Sequence, residues 1–212
     1  MKISFEQLKV SLANSDFPQI SSAGLKLSSV IIPFYFTEDN HVGVLLTKRS
    51  EHLKSHAGQI SFPGGKFDEA DKTLLETALR EWEEETGESR NTLEVIGSFH
   101  SLNTGTGYHI TPFISIYRGD FEFNVNKHEV DFMIPLKLEE LSHAPFYTIE
   151  WEKHSSGRIN IYYFDLLQGL LWGATCHILY TFLREMCGFE RRPKLVKPNL
   201  NVPPFFSPPK NT

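Results

Sequence analysis

The sequence predicts an α/β fold in which a mixed β-sheet lies between helices. Six short runs are rich in apolar and β-branched residues, as strands are, and they are interleaved with segments whose apolar residues recur at helical spacing. Of the 212 residues, 40% are hydrophobic and 22% are charged, which allows a full core. This length suits one domain that carries extensions.

The first half of the chain predicts a helix, a strand pair and a second helix. Apolar residues within 3–14 lie roughly at helical spacing and indicate a short leading helix. The runs 27–36 and 42–49 are apolar and flank a turn-like TEDNH segment, so we expect paired strands. Residues 50–65 have the composition of a loop.

The helix that follows is expected at 72–86. Asp71 is the candidate N-cap, because its side chain could accept a hydrogen bond from the first turn. Gly87 is the expected stop signal, since glycine commonly follows the last helical residue.

The second half predicts four strands and one long helix. The strands are expected at 93–101, 110–118, 129–136 and 159–166. A glycine-rich TGTG turn at 104–107 separates the first two. Apolar residues at helical intervals predict a helix over 167–186. Six of the twelve prolines fall between Pro193 and Pro209, which indicates an extended tail.

These elements divide the chain into three parts. Residues 1–26 form an N-terminal extension with its short helix, residues 27–187 form the main domain, and residues 188–212 form the Pro-rich tail.

Composition excludes several classes of function. Two cysteines, Cys176 and Cys187, cannot form a disulfide framework or a four-cysteine zinc site, and they suit a reducing compartment as packing residues. A net charge of −5 argues against an extended nucleic-acid interface. The segment MKISFEQLKV does not show a charged region followed by a long apolar run, and no stretch reaches about 20 apolar residues, so we expect a cytoplasmic protein that does not insert into membranes.

The strongest chemical signal is a cluster of carboxylates on the helix at 72–86. Glu81, Glu84 and Glu85 share one helical face beside an apolar face. Glutamates at this spacing repel one another, whereas a divalent cation reverses the repulsion, and oxygen donors suit Mg²⁺ or Mn²⁺. A solvated acidic face is the alternative interpretation of such a string.

The same helix resembles the Nudix box, G-x5-E-x7-R-E-U-x-E-E-x-G-U, where U is a bulky apolar residue. Six residues match its second half, namely Arg80, Glu81, Trp82, Glu84, Glu85 and Gly87. The first half is shifted by one residue, because Gly65 precedes the expected position and the nearest carboxylate is Asp71. The sequence has lysine at 66 and 72, where the pattern has glycine and glutamate, and Glu88 at the last apolar position.

The preceding segment, LLTKRSEHLKSHAGQISFPGG, resembles the motif of the coenzyme A pyrophosphatase subgroup of Nudix hydrolases. Lys54 replaces its second arginine, which keeps the charge but loses bidentate geometry. This subgroup shares the longer spacing in the box. The resemblance implies substrate-binding roles for residues in the motif: Arg49, Lys54, Gly58, Phe62, Gly64 and Gly65.

The resemblance implies a Nudix-like α/β/α sandwich with a mixed β-sheet. It also implies hydrolysis of the diphosphate of coenzyme A (CoA) or acyl-CoA, with Glu81, Glu84 and Glu85 holding Mg²⁺ or Mn²⁺ and Arg80 orienting the carboxylates. Glu81, or a later acidic residue such as Glu129, would accept the proton of the attacking water. The expected partner is a small molecule, and a homodimer is left open.

Three alternatives remain at the level of sequence. A Nudix pyrophosphatase could act on another nucleoside diphosphate derivative, or a Nudix-fold sensor could bind its ligand without cleaving it. Zinc at His52 and His56, which have i, i+4 spacing, is disfavoured because the sequence shows no third nitrogen or sulfur ligand.

Overall fold

A computed structural model describes residues 6, 9–10, 17, 19–37, 41–153 and 157–196. The predicted leading helix at 3–14 lies largely outside these residues, and so does the tail beyond residue 196. In chain order, the elements are β1 (Lys26–Phe36), β2 (Val42–Arg49), β3 (Ile60–Ser61), β4 (Gly64–Lys66), α1 (Leu74–Thr86), β5 (Leu93–Ser98), β6 (Leu102–Asn103), β7 (Tyr108–Tyr117), β8 (Val130–Lys137), β9 (Phe146–Lys153), β10 (Gly157–Leu166), β11 (Gly169–Trp172), α2 (Gly173–Cys187) and β12 (Lys194–Leu195).

The main sheet has eight strands and is mixed, as predicted. Its central order is β3-β2-β1-β7-β5, while β4 pairs with β1, β6 with β7 and β8 with β2. Strands β1 and β7 run parallel, and the other pairs are antiparallel. A second sheet of four strands has the order β11-β10-β9-β12.

Helices pack on both faces of the main sheet, which gives the α/β/α layers. Successive side chains of β1 point to opposite faces, as in any strand. Ile31 belongs to the cluster that contains Trp82 of α1, whereas Phe34 stacks on Phe182 of α2 with ring centroids 4.5 Å apart. Strand β1 therefore supplies core residues to both layers.

Three boundaries differ from prediction. The N-cap of α1 is Thr73, whose hydroxyl accepts a hydrogen bond from Glu76 N at 3.1 Å; Asp71 is instead a partner of Arg80. The second long helix begins at Gly173, because residues 169–172 pair with β10 as strand β11. Part of the predicted loop at 50–65 forms β3 and β4, since these short segments pair with β2 and β1.

Strand β9 was not predicted. Its pairing with β10 over Phe146–Lys153 creates the second sheet, and the parallel strand β12 extends this sheet. The described part of the predicted tail packs on the domain, because Phe189 is buried in the core and Arg191 donates to the carbonyls of Leu141 and Ala144.

Both cysteines are free thiols, in agreement with the prediction that they are packing residues: Cys176 is buried in the core, and Cys187 packs against it. Among the described residues, neither helix has the length and apolar character needed to cross a membrane.

Candidate active site

Helix α1 packs on strands β1 and β4 of the main sheet. Ala78 and Trp82 are fully buried against the sheet and fix the rotation of the helix about its axis. Gly87 ends the helix with a φ of 73°, and its N–H donates to Glu83 O at 3.0 Å. With the rotation fixed in this way, Glu81 and Glu85 face one side of the helix, one turn apart.

Three carboxylates converge beside this helix. Glu81, Glu85 and Glu129 each offer an oxygen atom, and these oxygens all lie within 4.8 Å of one another. Glu81 and Glu85 lie on α1, and Glu129 is the residue just before β8. The sequence interpretation named Glu129 only as a candidate base, since no spacing rule connects it with the helix.

Glu85 is the deepest member of this group, with a side chain only 1% exposed. Its Oε2 accepts a hydrogen bond from Gly64 N at 3.3 Å, and its Oε1 lies 3.5 Å from Arg49 Nη1. Burial raises the pKa of Glu85 to about 8, the Arg49 charge opposes this rise, and Glu81 and Glu129 add to it. The pKa of Glu81 is raised as well, mainly by burial.

Arg80 links the carboxylates of the helix to the loop before it. Its Nε and Nη2 donate to Oδ1 and Oδ2 of Asp71 at 3.0 and 3.1 Å. Its Nη1 donates to Glu81 at 3.0 Å and to Glu84 at 2.9 Å. These contacts raise the pKa of Arg80, so it stays charged. Arg80 therefore sets the position of Glu81 and is itself held by Asp71.

The glycine pair before the helix allows β4 to approach these carboxylates. Gly64 has a φ of 152°, and a Cβ there would meet Ser29 O at 2.3 Å. A Cβ on Gly65 would meet Glu81 Oε1 at the same distance of 2.3 Å. Any larger residue would displace either the strand or the Glu81 side chain. The predicted importance of this pair thus has a steric basis.

Glu129 reaches the group through the loop that precedes β8. Asn126 N donates to Glu85 O at 3.1 Å, which attaches this loop to the end of α1. Glu129 O accepts from Ser50 N at 2.9 Å, and Arg49 is opposite Val130 in the register of β2 and β8. Backbone contacts therefore bring together residues from three separate segments of the chain.

The other predicted site residues lie outside this group. Glu84, with a half-exposed side chain, is held by Arg80. Lys54 is exposed, and Gly58 lies against the side chain of Glu51. Phe62 is only 2% exposed and belongs to the core cluster, so its side chain packs inside the protein. The predicted roles of Glu84, Lys54, Gly58 and Phe62 stay predictions.

The histidines of the motif segment are on the surface. His52 and His56 are both exposed, and His56 Nδ1 is paired with Gln59 Oε1 at 2.9 Å. Within the part of the chain that the structure describes, the group of three possible metal ligands consists of glutamates alone.

The donor set fits a hard divalent cation. Three carboxylates within 4.8 Å of one another, one of them almost fully buried, repel each other unless a positive charge lies between them. Carboxylate oxygens are the ligands that Mg²⁺ and Mn²⁺ prefer, and Mg²⁺ is usually shared between protein carboxylates and substrate phosphates. The residues present therefore suit a metal that binds a phosphorylated substrate.

Comparison with known proteins agrees with the fold. A family model described as NUDIX domain matches residues 26–156. The chain is 35% identical over 160 residues to a Yersinia pestis (strain Pestoides F) protein named "Uncharacterized Nudix hydrolase NudL", and the match covers 74% of this chain and 78% of that protein. Proteins with the same name from several Yersinia pseudotuberculosis strains match equally well.

Two solved structures share the fold at low sequence identity. The Nudix hydrolase RenU from M. smegmatis has a TM-score of 0.53 at 13% identity, covering 84% of this chain and 92% of that one. A MutT/nudix family protein from Enterococcus faecalis has a TM-score of 0.52 at 15% identity, covering 90% of this chain and 72% of that one.

The α/β/α layers, with three carboxylates converging beside α1, are those of a Nudix fold. The chain belongs to the Nudix hydrolase family, enzymes that act on phosphoric anhydrides. The predicted fold class and the resemblance to Nudix hydrolases are thereby confirmed, whereas the coenzyme A pyrophosphatase subgroup stays a prediction.

Proposed function

We propose that the protein hydrolyses the diphosphate of CoA or acyl-CoA to 3′,5′-ADP and 4′-phosphopantetheine or its acyl form. The observation that carries this proposal is the contact between Arg49 Nη1 and Glu85 Oε1 at 3.5 Å. Arg49 belongs to the CoA-type motif and Glu85 to the Nudix box, so the two motifs form one site. The choice of CoA as substrate is based on the resemblance of this motif to that of the coenzyme A pyrophosphatase subgroup.

The metal would be Mg²⁺ or Mn²⁺, held by Glu81, Glu85 and Glu129. We retain Glu84 as a proposed further ligand on the exposed side of the helix. A bound divalent metal supplies charge neutralisation for the diphosphate and a lower pKa for the attacking water. Arg80 orients Glu81 and Glu84, and Asp71 in turn holds Arg80 in place.

Two carboxylates could take the proton of the attacking water. Glu81 is half-buried and already held by Arg80, and Glu129 approaches from the opposite segment of the group. We keep both as candidate bases. The proposed substrate-side residues remain those of the motif: Arg49, Lys54, Gly58, Phe62, Gly64 and Gly65. Of these, Gly64 and Gly65 would act through their backbone N–H groups and by letting the substrate come close to the backbone.

A second substrate class has one observation in its favour. Lys54 stands where the CoA-type motif has arginine, and its ammonium group cannot make the bidentate contact with phosphate that arginine makes. Another nucleoside diphosphate derivative would then be the preferred substrate. A sensor that binds without cleaving does not need three carboxylates around a metal, so the site argues against it.

We further propose a cytoplasmic location, because both cysteines are free thiols, which suits a reducing compartment. The choice between a monomer and a homodimer is open.

Product analysis tests the substrate directly. The protein is incubated with Mg²⁺ and, in parallel, with CoA, an acyl-CoA, ADP-ribose, NADH and a diadenosine polyphosphate. The expected result is fastest cleavage of a CoA species, with 3′,5′-ADP as one product. Glu85→Gln is the matched inactive control. Faster cleavage of a substrate without the pantetheine arm would overturn the CoA assignment and leave the Nudix hydrolase assignment intact.

A further inference from the structure

Two lysines and a tyrosine form a patch at the end of the main sheet. Lys26 is on β1, Lys66 is on β4 and Tyr108 is on β7. Nζ of Lys26 lies 5.9 Å and Nζ of Lys66 lies 5.8 Å from the centroid of the Tyr108 ring. The strand register explains the meeting, because Lys26 is opposite Tyr108 and Lys66 is opposite Ser28. We call these three residues the Lys-Tyr patch.

Among the described residues, no carboxylate is paired with either lysine of this patch. Both lysines are exposed, and within the described part of the chain neither forms an ion pair. A cation near an exposed aromatic ring gains only about 0.5–1 kcal/mol, and two ammonium groups that share one ring repel each other. A bound anion would remove this repulsion. The protein as a whole is acidic, which makes two unpaired lysines at one ring a local exception.

The patch is directly connected to the active site. Lys66 follows Gly65, whose Cα faces the carboxylate of Glu81 so closely that a Cβ would lie 2.3 Å from Oε1. Lys66 O also accepts a hydrogen bond from Arg80 Nη2 at 3.3 Å. The backbone of Lys66 therefore contacts the catalytic helix while its side chain points to the Tyr108 ring. Because successive residues of a strand face opposite sides, a ligand that contacts both the patch and the carboxylates would pass around β4 at Gly65 and Lys66.

The cations of the CoA-type motif are engaged elsewhere or lie apart. Lys48 Nζ donates to Gln168 O at 3.3 Å, and Arg49 pairs with Glu85. Of the lysines and arginines in this motif, only Lys54 is exposed without a described partner. The motif therefore offers few charges for a second phosphate group, and the Lys-Tyr patch offers two.

We propose that the Lys-Tyr patch binds a phosphate monoester on the ribose of the substrate, namely the 3′-phosphate of CoA. This inference rests on the proposed function and specifies which residues recognise the nucleotide end. The 3′-oxygen and the 5′-oxygen are carried by the same ribose. The 3′-phosphate therefore lies close to a diphosphate that is held at the carboxylates. A dianionic phosphate between the two ammonium groups accepts hydrogen bonds from both. The Tyr108 ring keeps the two lysines together.

Kinetics with paired substrates test the assignment. For Lys26→Ala/Lys66→Ala, kcat/KM for CoA should fall by about 10- to 100-fold, as expected for losing charge-assisted hydrogen bonds. The kcat/KM for dephospho-CoA should change by less than about threefold. Lys137→Ala, an exposed lysine on β8, is the matched control and should leave both values unchanged. Equal losses on both substrates, or no loss on CoA, would overturn the proposal.

The ring is tested separately from the charges. Tyr108→Phe retains the aromatic face and should keep the preference for CoA over dephospho-CoA. Tyr108→Ala should reduce that preference by about threefold or more, since the lysines lose their common neighbour. Thermal melting of every variant confirms that it is folded. A preference for CoA that survives Tyr108→Ala unchanged would contradict the role of the ring.

Ligand binding separates a failure of this inference from a failure of the proposed function. Calorimetry measures the affinity of wild type and of the double lysine variant for 3′,5′-ADP and for 5′-AMP. These two nucleotides differ only in the 3′-phosphate. If wild type binds 3′,5′-ADP more tightly than 5′-AMP and the double lysine variant does not, the patch is supported even if CoA proves not to be cleaved. Equal binding of the two nucleotides by wild type would overturn the patch even if CoA is cleaved.

Discussion

Asp71 and Arg80 form a bidentate pair, with Arg80 Nε and Nη2 lying 3.0 and 3.1 Å from the two carboxylate oxygens of Asp71. This pair accounts for the shifted first half of the Nudix box. Asp71 is the upstream carboxylate that the altered spacing leaves available, and it holds the arginine that in turn binds Glu81 and Glu84. The extra residue in the box is accommodated in the loop before α1, so the helix itself is unaffected.

Asp71→Asn should destabilise the fold in a pH-dependent way. The Arg80 pair lowers the pKa of Asp71 to about 2. A lowered pKa stabilises the fold above the unfolded value near 4, and this stabilisation is lost as pH falls toward 2. Urea unfolding should show a loss of about 2 kcal/mol at pH 7 and about half of that at pH 3. Asp165→Asn, at an exposed position, is the control. A difference that does not depend on pH would contradict this assignment.

Hydrolysis should require a divalent cation. Without one, the carboxylates of Glu81, Glu85 and Glu129 repel both each other and the diphosphate of the substrate. EDTA should abolish turnover of the best substrate of the panel, and excess Mg²⁺ or Mn²⁺ should restore it. The rate of product formation by chromatography is the measurement. Full turnover in EDTA would rule out the metal-dependent mechanism.

Glu85→Gln should weaken binding of Mn²⁺ at the carboxylate group by at least about tenfold, because it removes the charge of its most buried member. Glu83→Gln is the matched control on the same helix, since Glu83 pairs with Arg90 away from the group. Mn²⁺ titration followed by electron paramagnetic resonance measures the Mn²⁺ affinity of both variants. Equal affinities in the two variants would show that the metal binds elsewhere.

Glu84→Gln should lower kcat by about 10²-fold, the scale expected when one charged contact to the transition state is lost. The change retains the size of the side chain, so melting temperature should stay near that of wild type. Glu76→Gln, at a partly exposed glutamate of α1 that pairs with Arg90, serves for comparison. If kcat falls by less than about threefold, Glu84 has no part in the chemistry.

Gly65→Ala should impair activity more than stability. The added Cβ would meet Glu81 Oε1 at 2.3 Å, and the end of that side chain can move more easily than the backbone. We expect kcat to fall by about tenfold or more while unfolding free energy changes by about 1 kcal/mol or less. At Gly97, a Cβ has nothing within 4 Å, so Gly97→Ala is the steric control. Unchanged kcat in Gly65→Ala would show that Glu81 need not hold its position.

Local sequence determined helix α1 and much of the sheet. Helical periodicity is a property of neighbouring residues, so the buried face with Trp82, the adjacent carboxylates and the stop at Gly87 could be predicted directly. The same holds for β1 and β2, whose apolar runs are continuous. The N-cap was the exception, because Asp71 and Thr73 are both good capping residues and the pairing of Asp71 with Arg80 depends on loop geometry.

Tertiary structure alone decided which distant residues meet. Glu129 joins Glu81 and Glu85 because backbone contacts of Asn126 and Ser50 hold its loop against α1, and no local pattern encodes those contacts. Strand register alone brings Lys26 and Tyr108 side by side. The apolar run 169–172 became a strand because hydrogen bonds to β10 outweighed its helical spacing. The periodicity of a sequence shows which face of a single helix or strand is buried. The pairing of residues far apart in the chain depends on the whole fold.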